Sequence, residues 1–225
     1  EQSPKLKIKM LKIFINGESG KMGASIIKLI DDDDTFIKVE KGDLITADVV
    51  IDFSHPDSTL KILQDCLENK KPLVIGTTGL KNNHIKEIEK ASKMIPILIA
   101  SNMSKGIINL KKSLKNYISN NSESMDCIIE EVHHIEKIDS PSGTAIELKD
   151  HILSFDNKKN INSIEITSKR IKNVFGVHKV SFIKKDEVRE FKHEALSRDV
   201  FSFGALYAAK QISKLDPRIY RFQDI

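Results

Sequence analysis

Two histidines and a lysine, side chains that can transfer protons, lie within five residues near the middle of the chain. His133 and His134 are adjacent, Lys137 follows them, and the stretch Pro141-Ser142-Gly143-Thr144 comes shortly after. Histidine and lysine supply proton transfer and positive charge. The Ser-Gly-Thr stretch opens a predicted helix, whose first backbone N–H groups and hydroxyls suit a carboxylate. These residues indicate acid–base chemistry on a carboxylate-bearing molecule.

A metal centre is one alternative interpretation of the histidine pair. A metal site needs further ligands, and adjacent residues of a strand point to opposite faces, so one ion rarely binds both. We therefore expect no metal at His133 and His134. A purely structural role for the block stays open on these residues alone.

A glycine-rich stretch lies between the first predicted strand and the first predicted helix. It consists of Gly17, Glu18, Ser19, Gly20, Lys21, Met22 and Gly23. Glycines let the backbone turn tightly and approach a pyrophosphate, whose charge then lies at the N-terminus of the helix. The spacing is a variant of the usual dinucleotide fingerprint, so it predicts a dinucleotide cofactor. The alternative is a glycine-rich turn that holds no ligand.

An acidic and a basic residue, Glu40 and Lys41, follow the next predicted strand. A carboxylate at this position can hold the ribose hydroxyls of NADH, and the adjacent lysine can meet the 2′-phosphate of NADPH. The cofactor is therefore expected to be NADH or NADPH. A solvated charge pair on a loop is the alternative for these two residues.

Small and hydroxyl-bearing residues follow three further predicted strands, in the loops 52–56, 76–79 and 100–104. The candidate cofactor contacts in the last two are Gly76, Thr77, Thr78, Ala100, Ser101, Asn102 and Met103. In an open α/β sheet the ligand crevice lies at the carboxyl ends of the strands. Any one loop could be only a turn, but the three together favour a binding crevice.

The first half of the chain alternates apolar strand patterns with helical patterns. Strands are predicted over 11–15, 35–39, 48–53, 72–75 and 95–100, and helices over 22–30, from Asp57 or Ser58 as cap to 69, and 83–93. Regular alternation of this kind predicts βαβ units and a parallel sheet. The fold class expected for this part is α/β, a Rossmann-like domain.

The second half changes character, with strands that follow one another around a single helix. Helices are predicted over 107–118, 143–155 and 201–215, and strands over 126–132, 163–171, 179–183 and 187–196. This order predicts a second, α+β domain with an open mixed sheet. We expect a dinucleotide-binding domain over 1–102 that is completed by 198–225, and a domain for substrate binding and oligomerisation over 103–197.

Composition excludes several classes of protein. The 225 residues are 40% hydrophobic and 30% charged, with a net charge of +4 that is interleaved along the chain. This pattern indicates neither a membrane protein nor a nucleic-acid-binding one. Cys66 and Cys127 are expected to be buried free thiols in a reducing compartment. Residues 1–10 lack the apolar core of a secretory signal, so we expect a cytoplasmic protein, or an organelle stroma or matrix if the N-terminus is processed.

Together these motifs resemble the 4-hydroxy-tetrahydrodipicolinate reductase (dihydrodipicolinate reductase) family. The resemblance runs in order from Leu11 to Tyr220 and rests on Lys-Met-Gly, Asp-Phe-Ser-x-Pro, Gly-Thr-Thr-Gly, Glu-x-x-His-His-x-x-Lys-x-Asp-x-Pro-Ser-Gly-Thr-Ala, the stretches 170–178 and 193–198, Phe201 and Gly204-Ala205. It implies reduction of a cyclic hydroxy-dicarboxylate by NADH or NADPH, in the diaminopimelate route to lysine. It also implies a homotetramer.

The resemblance assigns roles to the matching positions. It implies that His133 is the general acid/base, that Lys137 is the proton donor, and that the substrate contacts are His134, Ser142, Gly143 and Thr144. The cofactor positions that it implies are those named above, from Gly17–Met22 to Met103. Met103 replaces an aromatic residue that is common beside the nicotinamide, and Ser101 replaces a common alanine.

Two other functions stay open on the sequence. One is a related nicotinamide oxidoreductase that acts on a different amino-acid-like substrate, such as an aspartate or homoserine dehydrogenase. The other is a non-catalytic dinucleotide sensor. The intact block of His133, Lys137 and Thr144 argues against both.

Overall fold

The computed structural model describes residues 10–225, and these form two compact units. One unit contains the described chain up to Ala100 together with Phe201–Ile225, and the other contains Ser101–Val200. The expectation about the N-terminal segment falls mainly on residues 1–9, which lie outside the described residues.

Ten strands and six α-helices cover most of residues 10–225. In chain order they are β1 (Leu11–Asn16), α1 (Lys21–Asp31), β2 (Phe36–Lys38), β3 (Val49–Asp52), α2 (Pro56–Glu68), β4 (Leu73–Ile75), α3 (Asn82–Ala91), β5 (Ile97–Ile99), α4 (Lys105–Asn120), β6 (Met125–His133), α5 (Gly143–Phe155), β7 (Ile161–Arg170), β8 (Gly176–Ile183), β9 (Val188–Ala195), α6 (Asp199–Ile212) and β10 (Ile219–Tyr220).

The first unit is built on a six-stranded sheet in which every pairing is parallel, in the order β10-β5-β4-β3-β1-β2. The central strand β3 is buried at all four positions, as its unbroken apolar run predicts for a sheet covered on both faces. Helix α6 is apolar and rich in small residues, and Ser202 donates a hydrogen bond to Ser25 of α1 at 2.8 Å. The α/β, Rossmann-like prediction is confirmed.

The second unit contains a four-stranded mixed sheet in the order β7-β6-β8-β9. Strand β6 pairs with β7 in parallel and with β8 in antiparallel register, so the predicted open mixed sheet is confirmed. Helices α4 and α5 contribute to the core through Leu114 and Leu148, which are fully buried with Phe182 of β8. This core supports the strand that carries His133.

Alternate residues of β6 point into the core of the second unit. Met125, Cys127 and Ile129 are buried on this face, and Glu131 and His133 continue it. The face therefore changes from apolar to ionisable at the carboxyl end of the strand. This change places a carboxylate and an imidazole inside the protein.

Two local features differ from the predictions. Helix α2 begins at Pro56 with His55 as its N-cap, whose Nδ1 accepts from the Ser58 amide at 3.3 Å, so a cap at Asp57 or Ser58 was wrong. Proline is favoured in the first turn because its missing N–H would have no partner there. The short strand β10 was not predicted, because two residues carry too little periodicity.

Other expectations concern the two thiols, metal ions and membranes. Cys66 and Cys127 are buried and free, as expected. Within residues 10–225, no group of three or more potential ligands could hold a metal ion. None of the helices in the same range is long and apolar enough to cross a membrane.

Candidate active site

The glycine-rich loop after β1 has a backbone that excludes side chains at two positions. Gly17 has a φ of +89°, and a Cβ there would lie 2.5 Å from the carbonyl oxygen of Phe53. A Cβ at Gly23 would lie 2.3 Å from the Gly17 oxygen. Helix α1 starts directly after Gly20, and no side chain caps its first turn. The first turn of α1 therefore follows a tight glycine turn with no side-chain cap at Gly20, which fits the binding of a pyrophosphate at the helix N-terminus.

Predicted cofactor residues from two loops line one cleft of about 200 Å³ in the first unit. Its lining includes Gly17, Glu18, Ser19 and Lys41. The cleft lies beside the glycine-rich loop. Gly20, Lys21 and Met22 continue this loop into α1.

A lysine that the sequence analysis missed joins two of the predicted cofactor residues. Lys38, the last residue of β2, lies 3.3 Å from the Glu18 carboxylate and 3.2 Å from the Glu40 carboxylate. Only its position at the end of a strand, two residues before Glu40, could have indicated from the sequence that Lys38 lies near the cofactor residues. Glu40 is therefore held beside the loop, whereas Lys41 lines the cleft.

The loop after β4 is fixed by a buried carboxylate. Asp52 is fully buried and accepts from the Thr77 hydroxyl at 3.0 Å, and the Thr77 oxygen accepts from the Ser54 amide at 3.0 Å. A Cβ at Gly76 would collide with the Phe53 ring. Gly76 and Thr77 thus shape the loop, and the neighbouring Thr78 is exposed.

The loop after β5 begins in the first unit at Ala100, whose amide donates to Ile75, and continues in the second. There, the Ser101 hydroxyl donates to Glu147 at 2.9 Å. The Asn102 amide nitrogen lies 3.3 Å from the Thr144 hydroxyl, so a predicted cofactor residue contacts a predicted substrate residue. Met103 is almost completely buried, backbone included.

His133, at the end of β6, has a buried carboxylate for a partner. Its Nδ1 contacts Oε2 of Glu131, which has no exposed surface. The other carboxylate oxygen of Glu131 accepts from Arg170 Nη1 at 3.0 Å and from the Ser142 amide at 3.3 Å. Neither Glu131 nor Arg170 has a role that residue type alone predicts, although the alternation along β6 could have indicated Glu131.

Burial and neighbouring charge act against each other at this pair. Burial lowers the pKa of His133, and Lys137 and Arg170 lower it further, whereas contact with Glu131 raises it; the net direction is downward. Burial by itself would raise the pKa of Glu131, but hydrogen bonds with Ser168, His133 and Arg170 bring it below its usual value. Near neutral pH the imidazole is therefore mainly neutral and the carboxylate is ionised.

Lys137 and the start of α5 converge on a single carboxylate. Lys137 Nζ lies 2.8 Å from one oxygen of Asp139, and the Gly143 amide donates to the other oxygen at 3.3 Å. Burial, the largest single influence, raises the pKa of Asp139, but the hydrogen bond and charge of Lys137 and the backbone hydrogen bonds together outweigh it, so the net shift is downward. The two donors therefore have the spacing that a carboxylate group requires.

Other predicted substrate residues differ in their exposure. The Ser142 hydroxyl caps α5 by accepting from the Ala145 amide at 3.2 Å, and both Ser142 and Thr144 are buried. His134 is half-buried, directly after β6. Gly143 approaches the loop after β5 closely, since a Cβ on it would lie 3.1 Å from Ser101.

A third histidine, His178 of β8, lies against this cluster. Its ring centroid is 5.0 Å from that of His133, and its Nε2 is 3.4 Å from the Ser142 hydroxyl. Burial, followed by the charges of His133, His193 and Lys137, lowers the pKa of His178 to about 3. His178 ends one of the stretches in the sequence resemblance, but residue type alone gave it no role.

The chain matches two sequence models that describe the halves of one family. Residues 35–103 match "Dihydrodipicolinate reductase, N-terminus", and residues 106–225 match "Dihydrodipicolinate reductase, C-terminus". Together the two matches span most of the chain.

Curated relatives share this similarity over almost their full length. The chain is 37% identical to the 4-hydroxy-tetrahydrodipicolinate reductase of Rickettsia africae, with 96% of this chain and 99% of the relative covered. It is also 37% identical to the enzyme of the same name from Bdellovibrio bacteriovorus, with 97% of each chain covered.

Solved structures resemble the fold. A dipicolinate-bound dihydrodipicolinate reductase from Paenisporosarcina sp. TG-14 has a TM-score of 0.74 at 18% identity, with 96% of this chain and 99% of that chain covered. An amine dehydrogenase from Mycobacterium smegmatis has a TM-score of 0.64 at 6% identity, with 95% of each chain covered. Because both halves match one family and the identity to curated members extends along the whole length, this chain belongs to the 4-hydroxy-tetrahydrodipicolinate reductase (dihydrodipicolinate reductase) family.

Proposed function

We propose that this chain reduces 4-hydroxy-tetrahydrodipicolinate to tetrahydrodipicolinate with NADH or NADPH, in the diaminopimelate route to lysine. Overall, the substrate, the reduced coenzyme and one proton give the product, the oxidised coenzyme and one water, because the hydroxyl group is replaced by hydrogen. The family membership supports this reaction over that of an oxidoreductase for another amino-acid-like substrate.

The observation that carries the proposal is the pair of donors around Asp139. Lys137 Nζ and the Gly143 amide already bind the two oxygens of one carboxylate. A substrate carboxylate that reaches these donors finds a positive charge and a helix N-terminus together. Thr144 directly follows Gly143, His134 lies three residues before Lys137, and both complete the proposed substrate contacts.

His133 and Lys137 are the proposed catalytic residues. Loss of the hydroxyl group as water leaves a conjugated imine. Hydride addition to this imine requires a proton on the neighbouring carbon, and a positioned side chain near neutral pH delivers it efficiently. His133 cycles its proton as general acid/base, and Lys137 donates a proton and neutralises the substrate carboxylate. The position of both groups beside the start of α5 supports this assignment.

The coenzyme supplies the hydride when it is bound. The proposed binding residues are the glycine-rich loop Gly17–Met22, the 76–78 loop and the 100–103 loop. Glu40 can accept hydrogen bonds from the adenosine ribose, and Lys41 can pair with a 2′-phosphate. With both groups present, and Lys38 beside Glu40, we propose that both coenzymes bind.

The proposed assembly is a homotetramer in the cytoplasm. The four-stranded sheet of the second unit ends in β7 and β9, and many residues of both strands are exposed. Exposed sheet surface of this extent favours association with further copies of the chain. Light scattering at several protein concentrations tests the tetramer.

A coupled assay tests the activity. Pyruvate, aspartate semialdehyde and the preceding synthase generate the unstable substrate in place, and the absorbance of NADH or NADPH is followed. Oxidation that requires both the synthase and this protein is the expected result, and His133→Gln should abolish it while coenzyme binding persists. Tight coenzyme binding without oxidation would instead favour the non-catalytic sensor or a different substrate.

A further inference from the structure

The ionised carboxylate of Glu131 lies in the interior of the second unit with its two oxygens in different surroundings. Oε1 accepts from Arg170 Nη1 at 3.0 Å and from the Ser142 amide at 3.3 Å. Oε2 contacts Nδ1 of His133. Ser168 also hydrogen-bonds to this carboxylate, and Oε2 is the oxygen that contacts the imidazole.

Fold stability does not explain a charge at this position. The preceding core positions of the same strand face, Cys127 and Ile129, are filled by apolar side chains. A buried carboxylate is costly unless it is paired and hydrogen-bonded, and well-packed apolar groups often replace such pairs without loss of stability. A functional reason for Glu131 is therefore favoured.

We propose that Glu131 is the positioning residue of the proton-transfer step, holding the Nδ1–H of His133 so that Nε2 is the nitrogen that takes up and releases the proton, and that Arg170 fixes Glu131 in place. The proton on Nδ1 stays in the contact with Glu131 throughout. This inference rests on the role of His133 in the proposed function. A carboxylate that orients a catalytic imidazole in this way also stabilises its protonated form.

Arg170 is built to hold this arrangement. Besides Glu131, its guanidinium donates to the carbonyl oxygens of Asp139 at 2.6 Å and Lys137 at 3.3 Å. One rigid fork thus ties the buried carboxylate to the segment that carries Lys137. The proposed acid/base and the proposed proton donor are held by the same side chain.

Ionisable groups from four segments face His133. Glu131 of β6 favours the protonated imidazole, whereas Arg170 of β7 and Lys137 of the loop between β6 and α5 disfavour it. His178 of β8 is neutral because burial lowers its pKa to about 3. His193 of β9 is opposite His178 in the antiparallel pairing of β8 with β9, and burial lowers the pKa of His193 as well.

The test is an NMR titration of histidine ring nitrogens, which reads both the tautomer and the pKa without turnover. The chain has seven histidines, and the His133 signals are those lost in His133→Gln. In the wild-type protein we expect the neutral ring to carry its proton on Nδ1. A proton on Nε2 instead would overturn the proposal.

Glu131→Gln is the isosteric variant that tests it. Arg170 and Ser142 donate to Oε1, so the amide oxygen of the new side chain must stay there and its NH₂ group must face His133. Nδ1 then has to accept, and the ring should change to the Nε2–H tautomer with a lower pKa. We expect kcat to fall by about 10²-fold or more while coenzyme affinity is unchanged.

Two further variants separate this role from a structural one. Arg170→Met should raise the pKa of His133, the opposite direction to Glu131→Gln, because a neighbouring positive charge is lost. Glu130→Gln is the matched control. Glu130 pairs with Lys179 on the other face of the strand, so this substitution should leave the tautomer and pKa of His133 and the kcat unchanged.

An unchanged tautomer and pKa of His133 in Glu131→Gln would refute the inference. The expected NMR result without reductase turnover would refute only the proposed function.

Discussion

The substitution Gly23→Ala tests whether the backbone of the glycine-rich loop binds the coenzyme. A Cβ at this position would lie 2.3 Å from the Gly17 carbonyl oxygen and 2.6 Å from Cα of Glu18, whereas ordinary contacts begin at 3.4 Å. Both contacts are backbone atoms, so no side chain can rotate away. The loop must therefore move by roughly 1 Å, a displacement that can cost about 10²-fold in a positioned site.

Coenzyme titration followed by fluorescence measures the result. We expect the dissociation constants of NADH and NADPH to rise by about 10-fold to 100-fold, with an overpacking cost of about 1–3 kcal/mol in the free energy of unfolding. Gly20→Ala in the same loop should have a smaller effect, because its Cβ would lie 3.2 Å from the Gly17 oxygen and a shift of a few tenths of an ångström relieves that contact. Unchanged coenzyme affinity in folded Gly23→Ala would refute the assignment of this loop.

Three other substitutions have expected outcomes. Lys41→Ala should weaken NADPH about 10-fold and leave NADH unchanged, because only NADPH has a 2′-phosphate; parallel titrations measure this. Ser142→Ala removes the N-cap of α5 and should cost about 1 kcal/mol in urea unfolding. Wild-type stability should fall as pH drops from 6.5 towards 3, by up to about 1.4 kcal/mol per pH unit from His178, because its folded pKa of about 3 lies below the unfolded value and only the unfolded state gains the proton. His178→Gln, unfolded in urea across this range, should show a shallower decline, and an unchanged slope would contradict the assignment.

Sequence periodicity was sufficient to predict most of the strands and helices in both units. Helix α5 spans the predicted residues, and β3 is buried along its length as an unbroken apolar run requires. Local patterns decide such elements because 3.6-residue and two-residue periodicities differ clearly over several residues. Short elements such as β10 were not predicted, because two residues cannot establish a period.

The sequence predicted which residues belong to the candidate site more completely than it predicted which of them contact each other. The sequence identified His133 and Lys137, since proton-transferring residues beside a helix start are recognisable in one local stretch. It gave no role to Arg170 and His178, the ends of a stretch in the resemblance, because they reach the cluster only through the positions of β7 and β8 on either side of β6. Pairing between strands depends on long-range register, which local patterns do not contain.

Register also explains why the buried carboxylate finds its partners. In the parallel pairing of β6 with β7, Glu131 is opposite Ser168 and His133 is opposite Arg170; in the antiparallel pairing with β8, Glu131 is opposite His178. A shift of one residue would turn Glu131 and His133 to the other face of the sheet, because successive side chains alternate. The two ends of β6 therefore act together. Packing of Met125, Cys127 and Ile129 at one end fixes the register that places Glu131 and His133 at the other. Substitutions in the apolar half of this strand should consequently disturb the His133 tautomer before they unfold the unit.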